Sequence, residues 1–226
     1  MASPRQRVDQ QPGFILHSYP YRETSLIVEA VSRDYGRVAL LAKGARRPHS
    51  TLRGVLMAFQ PMLLDWSGGG ELKTLVRAEW QGGQPLLGGR ALLCGYYLNE
   101  LVVKLLARED PHPALFDHFG AALQALGRGE ATEEVLRRFE LALLRELGYG
   151  LDLGTEADTG RPVRAEGRYL YIIDRGVTAA LPGSEETETL SGRTLLDLAA
   201  GTFTDPQTLV QAKLLLRRLI NHYLGG

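Results

Sequence analysis

Five histidines, a single cysteine, two glycine-rich turns and a few adjacent carboxylates are the groups from which this 226-residue chain could build a catalytic centre, and their spacing argues against one. His17, His49, His112, His118 and His222 give no His-Glu-x-x-His pair, and the neighbouring His112 and His118 have no evident third ligand. With Cys94 alone there is no intramolecular disulfide and no cysteine-based zinc cluster; it lies in an apolar helical run, the setting of a core residue rather than a nucleophile. Ser67-Gly68-Gly69-Gly70 and Gly82-Gly83 fit neither a phosphate-binding GxxxxGK[ST] loop nor a GxGxxG turn, and no G-x-S-x-G elbow occurs. Glu109-Asp110 precedes Pro111 and reads as a capped or solvated loop. The sequence therefore predicts no enzyme, no metal and no cofactor, and a magnesium-dependent nuclease lacks its ligand cluster.

Charge carries more information. Lys and Arg balance Asp and Glu at 26 each, but the segment 33–53 holds Arg33, Arg37, Lys43, Arg46, Arg47 and Arg53 against Asp34 alone. Such a local excess suits a polyanion, or else a basic loop facing solvent. Within it, residues 37–48 read as a strand running into a tight basic turn. Gly44 lets the backbone approach a phosphate, while Lys43, Arg46 and Arg47 supply charge. Tyr19, Tyr21 and Tyr35 sit at turns and are candidates for stacking bases, whereas Phe59 and Trp66, in an apolar run, read as core.

The elements that must position these groups fall into two sets. Short strands are predicted over 14–18, 25–32, 37–43, 52–66 and 71–79, separated by turn signals at Tyr19-Pro20, Asp34-Tyr35-Gly36, Lys43-Gly44, Pro48 and the Ser67 glycine run. That pattern points to a small closed or partly closed β-barrel. After residues 81–85 the period becomes helical, giving a domain boundary at 80/81 and helices over 89–107, 113–126, 131–147, 192–200 and 205–224. Between them, 151–182 loses that period around Tyr169-Leu170-Tyr171-Ile172-Ile173 and reads as a short β-hairpin or irregular lobe. No run of apolar residues is long enough to span a bilayer, and the polar start has no signal-peptide stretch, so the expectation is a soluble, cytoplasmic protein with no membrane partner.

The third helix has two apolar faces. Val135, Leu136, Phe139, Leu143 and Leu147 make one stripe; Leu141 and Leu144 fall opposite, flanked by Arg137, Arg138 and Arg145. Either the second face takes an acidic peptide with apolar anchors, or the helix is central and buried on both sides. The last helix carries a basic stripe of its own, Lys213, Arg217 and Asn221.

The segments Phe14 to Ser18, Tyr21-Arg22-Glu23-Thr24-Ser25-Leu26, Gly36-Arg37-Val38, Ala42-Lys43-Gly44-Ala45-Arg46 and Glu71-Leu72-Lys73-Thr74-Leu75 resemble the N-terminal half of the RecO family of bacterial recombination mediators. Tyr97-Leu98-Asn99-Glu100-Leu101, Leu136-Arg137-Arg138-Phe139-Glu140, Leu147-Gly148-Tyr149-Gly150, Ala212-Lys213 and Tyr223-Leu224-Gly225-Gly226 resemble its second half. The resemblance implies an α+β protein: an N-terminal OB-fold β-barrel (1–80) followed by a mainly α-helical domain (81–226). It implies a cytoplasmic protein, nucleoid-associated during repair, that binds single- and double-stranded DNA and anneals complementary strands. With RecR, such a protein helps load RecA onto strands coated by single-stranded DNA-binding protein (SSB), whose acidic, Phe-ended C-terminal tail docks on the helical domain. Expected DNA contacts are Arg37, Lys43, Arg46, Arg47, Arg53, Lys73 and Tyr35; expected tail contacts are Arg137, Arg138, Leu141, Leu144, Lys213 and Arg217.

Two departures qualify the match. Many relatives carry four zinc-binding cysteines after the Leu-Gly-Tyr-Gly segment; 151–162 has none, which implies the zinc-free branch and a lobe held by packing. Relatives also tend to continue with a basic tail, so the sequence is either a shortened piece or a short member with weaker DNA affinity. The competing class is a structural adaptor whose basic face meets acidic proteins, with DNA binding incidental.

Overall fold

The computed structural model describes residues 7–181, 183–185, 189–203 and 205–225; Pro182, the expected end of the lobe, and Gly226 of the closing motif lie outside the described residues. Five strands, β1 (Arg7–Tyr21), β2 (Ser25–Ser32), β3 (Gly36–Ala42), β4 (Pro61–Ser67) and β5 (Leu72–Trp80), close a barrel in the order β1-β2-β3-β5-β4. Every neighbouring pair is antiparallel except β3 with β5, the arrangement of the OB-fold. Alternation fixes the inside: Leu26, Val28 and Ala30 oppose Ala42, Leu40 and Val38, and these pack with Ile15, Met62, Leu64, Trp66 and Leu75 in the core.

The strand expected over 52–66 starts only at Pro61. Residues 43–60 form successive tight turns, in which Arg47 N donates to the Gly44 carbonyl (3.0 Å), Ser50 N to Arg47 (3.1 Å) and Arg53 N to Ser50 (3.1 Å). Leu52, Val55 and Leu56 still lean on the barrel core, which explains why the segment reads as an apolar strand.

The chain divides into two compact units, Met1–Thr132 and Glu133–Gly226. A boundary at 80/81 marks where the period changes. Compactness instead keeps the next two helices, α1 (Gly89–Leu105) and α2 (Pro113–Gly127), with the barrel. The reason is side-chain contact. Phe14 on β1 packs its ring against Phe116 (5.3 Å) and Phe119 (5.4 Å) of α2, and Asn99 Nδ2 of α1 donates to the Leu16 carbonyl (2.6 Å). Arg33 holds Asp117 through two bonds of 3.2 and 2.8 Å. That hydrogen bond lowers the Asp117 carboxyl below its ordinary value, so the tie contributes above the usual Asp range and is lost as pH falls through the lowered value.

The α1–α2 connection is clamped onto the barrel by charge. Glu29, buried on β2, takes Arg37 of β3 (3.4 Å) on one oxygen and Arg108 of the connection on the other. Glu109 N donates to the Arg37 carbonyl (3.0 Å), and the Glu109 carboxylate pairs with Lys73 of β5. Gly36 (φ +65°) is required here: a Cβ would collide with the Asp110 carbonyl.

In the second unit, α3 (Thr132–Glu146) leads to a sheet of β6 (Arg168–Ile172), β7 (Gly176–Ala179) and β8 (Leu190–Ser191), in the order β7-β6-β8. The expected hairpin is β6–β7, and β8 adds a third short strand. The preceding loop closes on itself through a Thr155–Pro162 bridge, and the Tyr169 hydroxyl accepts a bond from Arg164 N (2.9 Å). Two helices follow. Ser191 caps α4 (Gly192–Ala200) by accepting from Thr194 N (3.0 Å). Asp205 caps α5 (Pro206–Tyr223) by accepting from Gln207 N (2.9 Å).

Replacing Glu29 by Gln leaves Arg37 and Arg108 facing each other without their carboxylate and is expected to cost about 3 kcal/mol of stability. Urea unfolding at constant m-value measures it.

Candidate nucleic-acid interface

The basic turn predicted from the sequence forms one rim. Gly44 (φ +66°) turns the chain after Lys43, and the Arg47 side chain lies close to its Cα. Gly44 N donates to Ser25 Oγ (3.3 Å), Arg46 N to the Thr24 carbonyl (2.9 Å) and Arg46 Nη1 to the Glu23 carbonyl (3.2 Å). The turn is thereby fastened to the β1–β2 hairpin at 22–24. Arg46 and Arg53 border a cavity of about 390 Å³ floored by Leu26, Leu52 and Leu56. Lys43, Arg46, Arg47 and Arg53 are all exposed, and none has a carboxylate partner among the described residues.

The fastening also brings in a cation the sequence reading missed. Arg22, at the hairpin tip with φ 53°, is exposed, and its guanidinium carbon lies 5.2 Å from the centre of the Tyr21 ring. Only the turn signal at Tyr19-Pro20 could have pointed to it.

Three expected DNA contacts are corrected. Arg37 has 15% of its side chain exposed and is held by Glu29 and the Leu106 carbonyl (3.2 Å). Lys73 is 9% exposed, bound to Glu109 and to the Gly70 carbonyl (3.1 Å). Tyr35 does not present its ring for stacking; it sits edge-on to Trp66 at 5.4 Å, against the barrel core. In each case a partner distant in sequence takes the group.

Tyr19 and Tyr21 lie on the outer face of the barrel, Tyr19 exposed and Tyr21 half-buried. Directly opposed residues of an antiparallel pair share a face, so the pairs His17–Glu29–Ala39 and Tyr19–Ile27–Leu41 define the outer face of β1, β2 and β3, with Tyr21 beside Ser25 at its open end. His17 and Tyr19 are exposed and touch at 5.8 Å. Rings at alternate positions of one strand, beside a row of free cations, are what a flexible polyanion with flat bases requires.

The expected tail site is corrected as well. Leu141 (3% exposed) and Leu144 (fully buried) do not form an open face, because α3 is buried on both sides. Arg137, 7% exposed, is locked to Glu140 by Nε–Oε2 (2.7 Å) and a second contact. Arg138 is exposed and paired with Glu134 (3.2 Å). On α5, Lys213 and Arg217 are free of carboxylates among the described residues and alternate with the exposed Val210 and Leu214. Spacings of three and four residues put these four on one helix face.

The family's N-terminal model, "Recombination protein O N terminal", matches residues 7–83, and "Recombination protein O C terminal" matches residues 88–226. The chain belongs to the recombination protein O family. It is 65% identical over 224 residues to a protein of Aromatoleum aromaticum, covering 99% of this chain and 93% of that one. It is 62% identical to one from an Azoarcus species (98% and 93% covered) and 52% identical to one from Ralstonia nicotianae (97% and 81%). All three are named DNA repair protein RecO, and membership supports a role in DNA repair. The expected family is thus shown over nearly the whole chain, and its two models meet where the hydrophobic period changes. Among the described residues no helix is long and apolar enough to cross a membrane.

Arg137→Ala removes the guanidinium held against the buried Glu140 and is expected to destabilise the chain by about 3 kcal/mol, whereas the exposed Arg138→Ala changes stability by less than about 0.5 kcal/mol. Thermal unfolding of both variants reads the difference.

Proposed function

We propose that this chain is a non-enzymatic recombination mediator whose barrel holds DNA on the rim of Lys43, Arg46, Arg47, Arg53 and Arg22, and whose α5 face receives an acidic, apolar-ended tail such as that of SSB. The observation that carries the first half is the cluster of free cations fastened beside exposed aromatic rings, while other cations of the same unit are spent internally. The rings contact bases, the cations track the phosphates, and nothing in the arrangement reads sequence. Strand annealing suits such a surface, since it grips backbones and leaves pairing to the bases. Family membership extends the reading to work with RecR in loading RecA onto SSB-coated strands.

The second half rests on α5. A peptide with carboxylates and a terminal aromatic residue matches two exposed apolar side chains flanked by two cations. It replaces the α3 face, whose leucines are buried.

With about four phosphate contacts on a single strand, log K is expected to fall against log salt with a slope of about −3. Lys43→Ala with Arg46→Ala halves that slope and leaves the melting temperature unchanged. Fluorescence anisotropy with a labelled oligonucleotide checks both, and salt-independent binding overturns the rim. Lys213→Ala with Arg217→Ala is expected to weaken an acidic Phe-ended peptide about tenfold or more and leave the oligonucleotide untouched. If acidic peptides bind the barrel rim more tightly than DNA at matched salt, the chain is an adaptor instead.

A further inference from the structure

The outer face of the barrel continues past the exposed rings into a cleft between β1 and α1. It has a volume of about 430 Å³ and lies wholly within the first compact unit, in the range of about 300–1,000 Å³ over which proteins hold small organic groups. His17 and Tyr19 line one wall, and Tyr96, Asn99 and Val103 of α1 line the other. Glu29, Arg37 and Arg108 close it at the clamp.

We propose that this cleft is a nucleobase subsite for the single strand held on the rim; the inference rests on the DNA-binding reading above. Continuity is the first argument. His17, Tyr19 and Tyr21 stand at alternate positions of β1, about 6.7 Å apart along the strand, a step comparable with one nucleotide of an extended chain. Tyr21 adjoins Arg22, and the Arg46 turn is fastened to the same hairpin. A backbone lying on the rim therefore delivers its next bases along β1 towards the cleft.

Wall chemistry is the second argument. Tyr96 is 54% exposed although its ring is steadied edge-on by Phe59 at 5.0 Å. An aromatic side chain held in place yet open on a cleft is a platform for a flat ring. Tyr19, 38% exposed and in contact with His17, offers a second aromatic surface on the opposite wall. The polar groups at the edges fit a base better than an aliphatic group. Arg108 spends one nitrogen on Glu29 and keeps 40% of its side chain exposed, leaving N–H donors for a base carbonyl or a phosphate. Asn99 is buried, with its orientation set by the bond from Nδ2 to the Leu16 carbonyl, and its Oδ1 has no partner among the described residues. A base amine is a donor that a small movement of that wall would bring to it.

The test compares two thymidine oligonucleotides of equal length, one intact and one with its central sugars lacking bases, bound to the full chain at fixed salt. The intact strand is expected to bind about tenfold more tightly. Val103→Trp, which fills the cleft, and Tyr96→Ser, which removes the platform, abolish most of that difference, leaving only the part carried by the rim's own tyrosines. Both leave abasic binding unchanged, and that unchanged binding reports that fold and rim are intact. Lys43→Ala weakens both strands by the same factor. Equal affinity of the unmodified protein for the two strands overturns the subsite while leaving the rim standing. Loss of salt-dependent binding to either strand overturns the rim itself. If the two cleft variants weaken an acidic Phe-ended peptide but not the intact strand, the cleft holds a protein side chain and the proposal fails.

Discussion

A carboxylate buried in a barrel wall has to be paired, because removing a charge from water costs several kcal/mol unless opposite charges replace the solvent. Glu29 meets that demand with two guanidiniums, Arg37 from the neighbouring strand and Arg108 from the connection between α1 and α2. The second partner matters most. It draws the connection down onto the sheet, where Gly36 makes room for the Asp110 carbonyl and Lys73 takes Glu109. With that connection fixed, α1 crosses β1 at Asn99, and Asn99, Val103 and Arg108 line a cleft with Glu29 and Arg37 of β2 and β3. Tyr19 and the basic side chains of the 43–53 turns stay exposed. The triad and the Lys73–Glu109 pair thus take Arg37, Arg108 and Lys73 into the fold, while Lys43, Arg46, Arg47 and Arg53 have no carboxylate partner among the described residues.

The barrel and helices were legible because hydrophobic period is a local property. Alternation in 25–32 and 37–43 and the helical stripes in 89–126 state their faces within a few residues, and five of the helix ranges lie within two or three residues of those observed. The segment 52–60 was not legible as turns, since Leu52, Val55 and Leu56 are apolar for a reason outside their own segment: they pack against the barrel core. The lost helical period around Tyr169 to Ile173 announced the β6–β7 hairpin, whereas β8, only two residues long and past the predicted span, leaves almost no pattern to read.

The candidate site divides along the same line. Lys43, Arg46, Arg47 and Arg53 could be read because they sit in one short run of turns and face no acid nearby in sequence. Arg37 and Lys73 could not, because their carboxylates lie 8 and 36 residues away, and the Arg108 that completes the triad lies 79 residues from Glu29. Tyr35 looked like a turn aromatic, yet the turn tilts its ring against Trp66. On α3 a second apolar stripe has two meanings, an open face or a buried one. Arg137 with Glu140 at i,i+3 is compatible with either, so burial alone decides.

The chain as a whole carries no net charge, so any attraction of a polyanion rests on the local charge of the rim. At physiological salt, screening limits exposed charges to about 8 Å, little more than the span of the turn that carries them. Under the proposed function such a rim acts by contact and exchanges counterions for phosphates, which would give strong salt dependence. The aromatic row supplies what charge cannot, because stacking depends on bare base faces and is weakly affected by salt. A duplex hides those faces and a single strand offers them. Under the proposed function, rim and rings together would favour unpaired DNA without reading its sequence and would release it once pairing buries its bases, the physical requirement for a protein that brings complementary strands together.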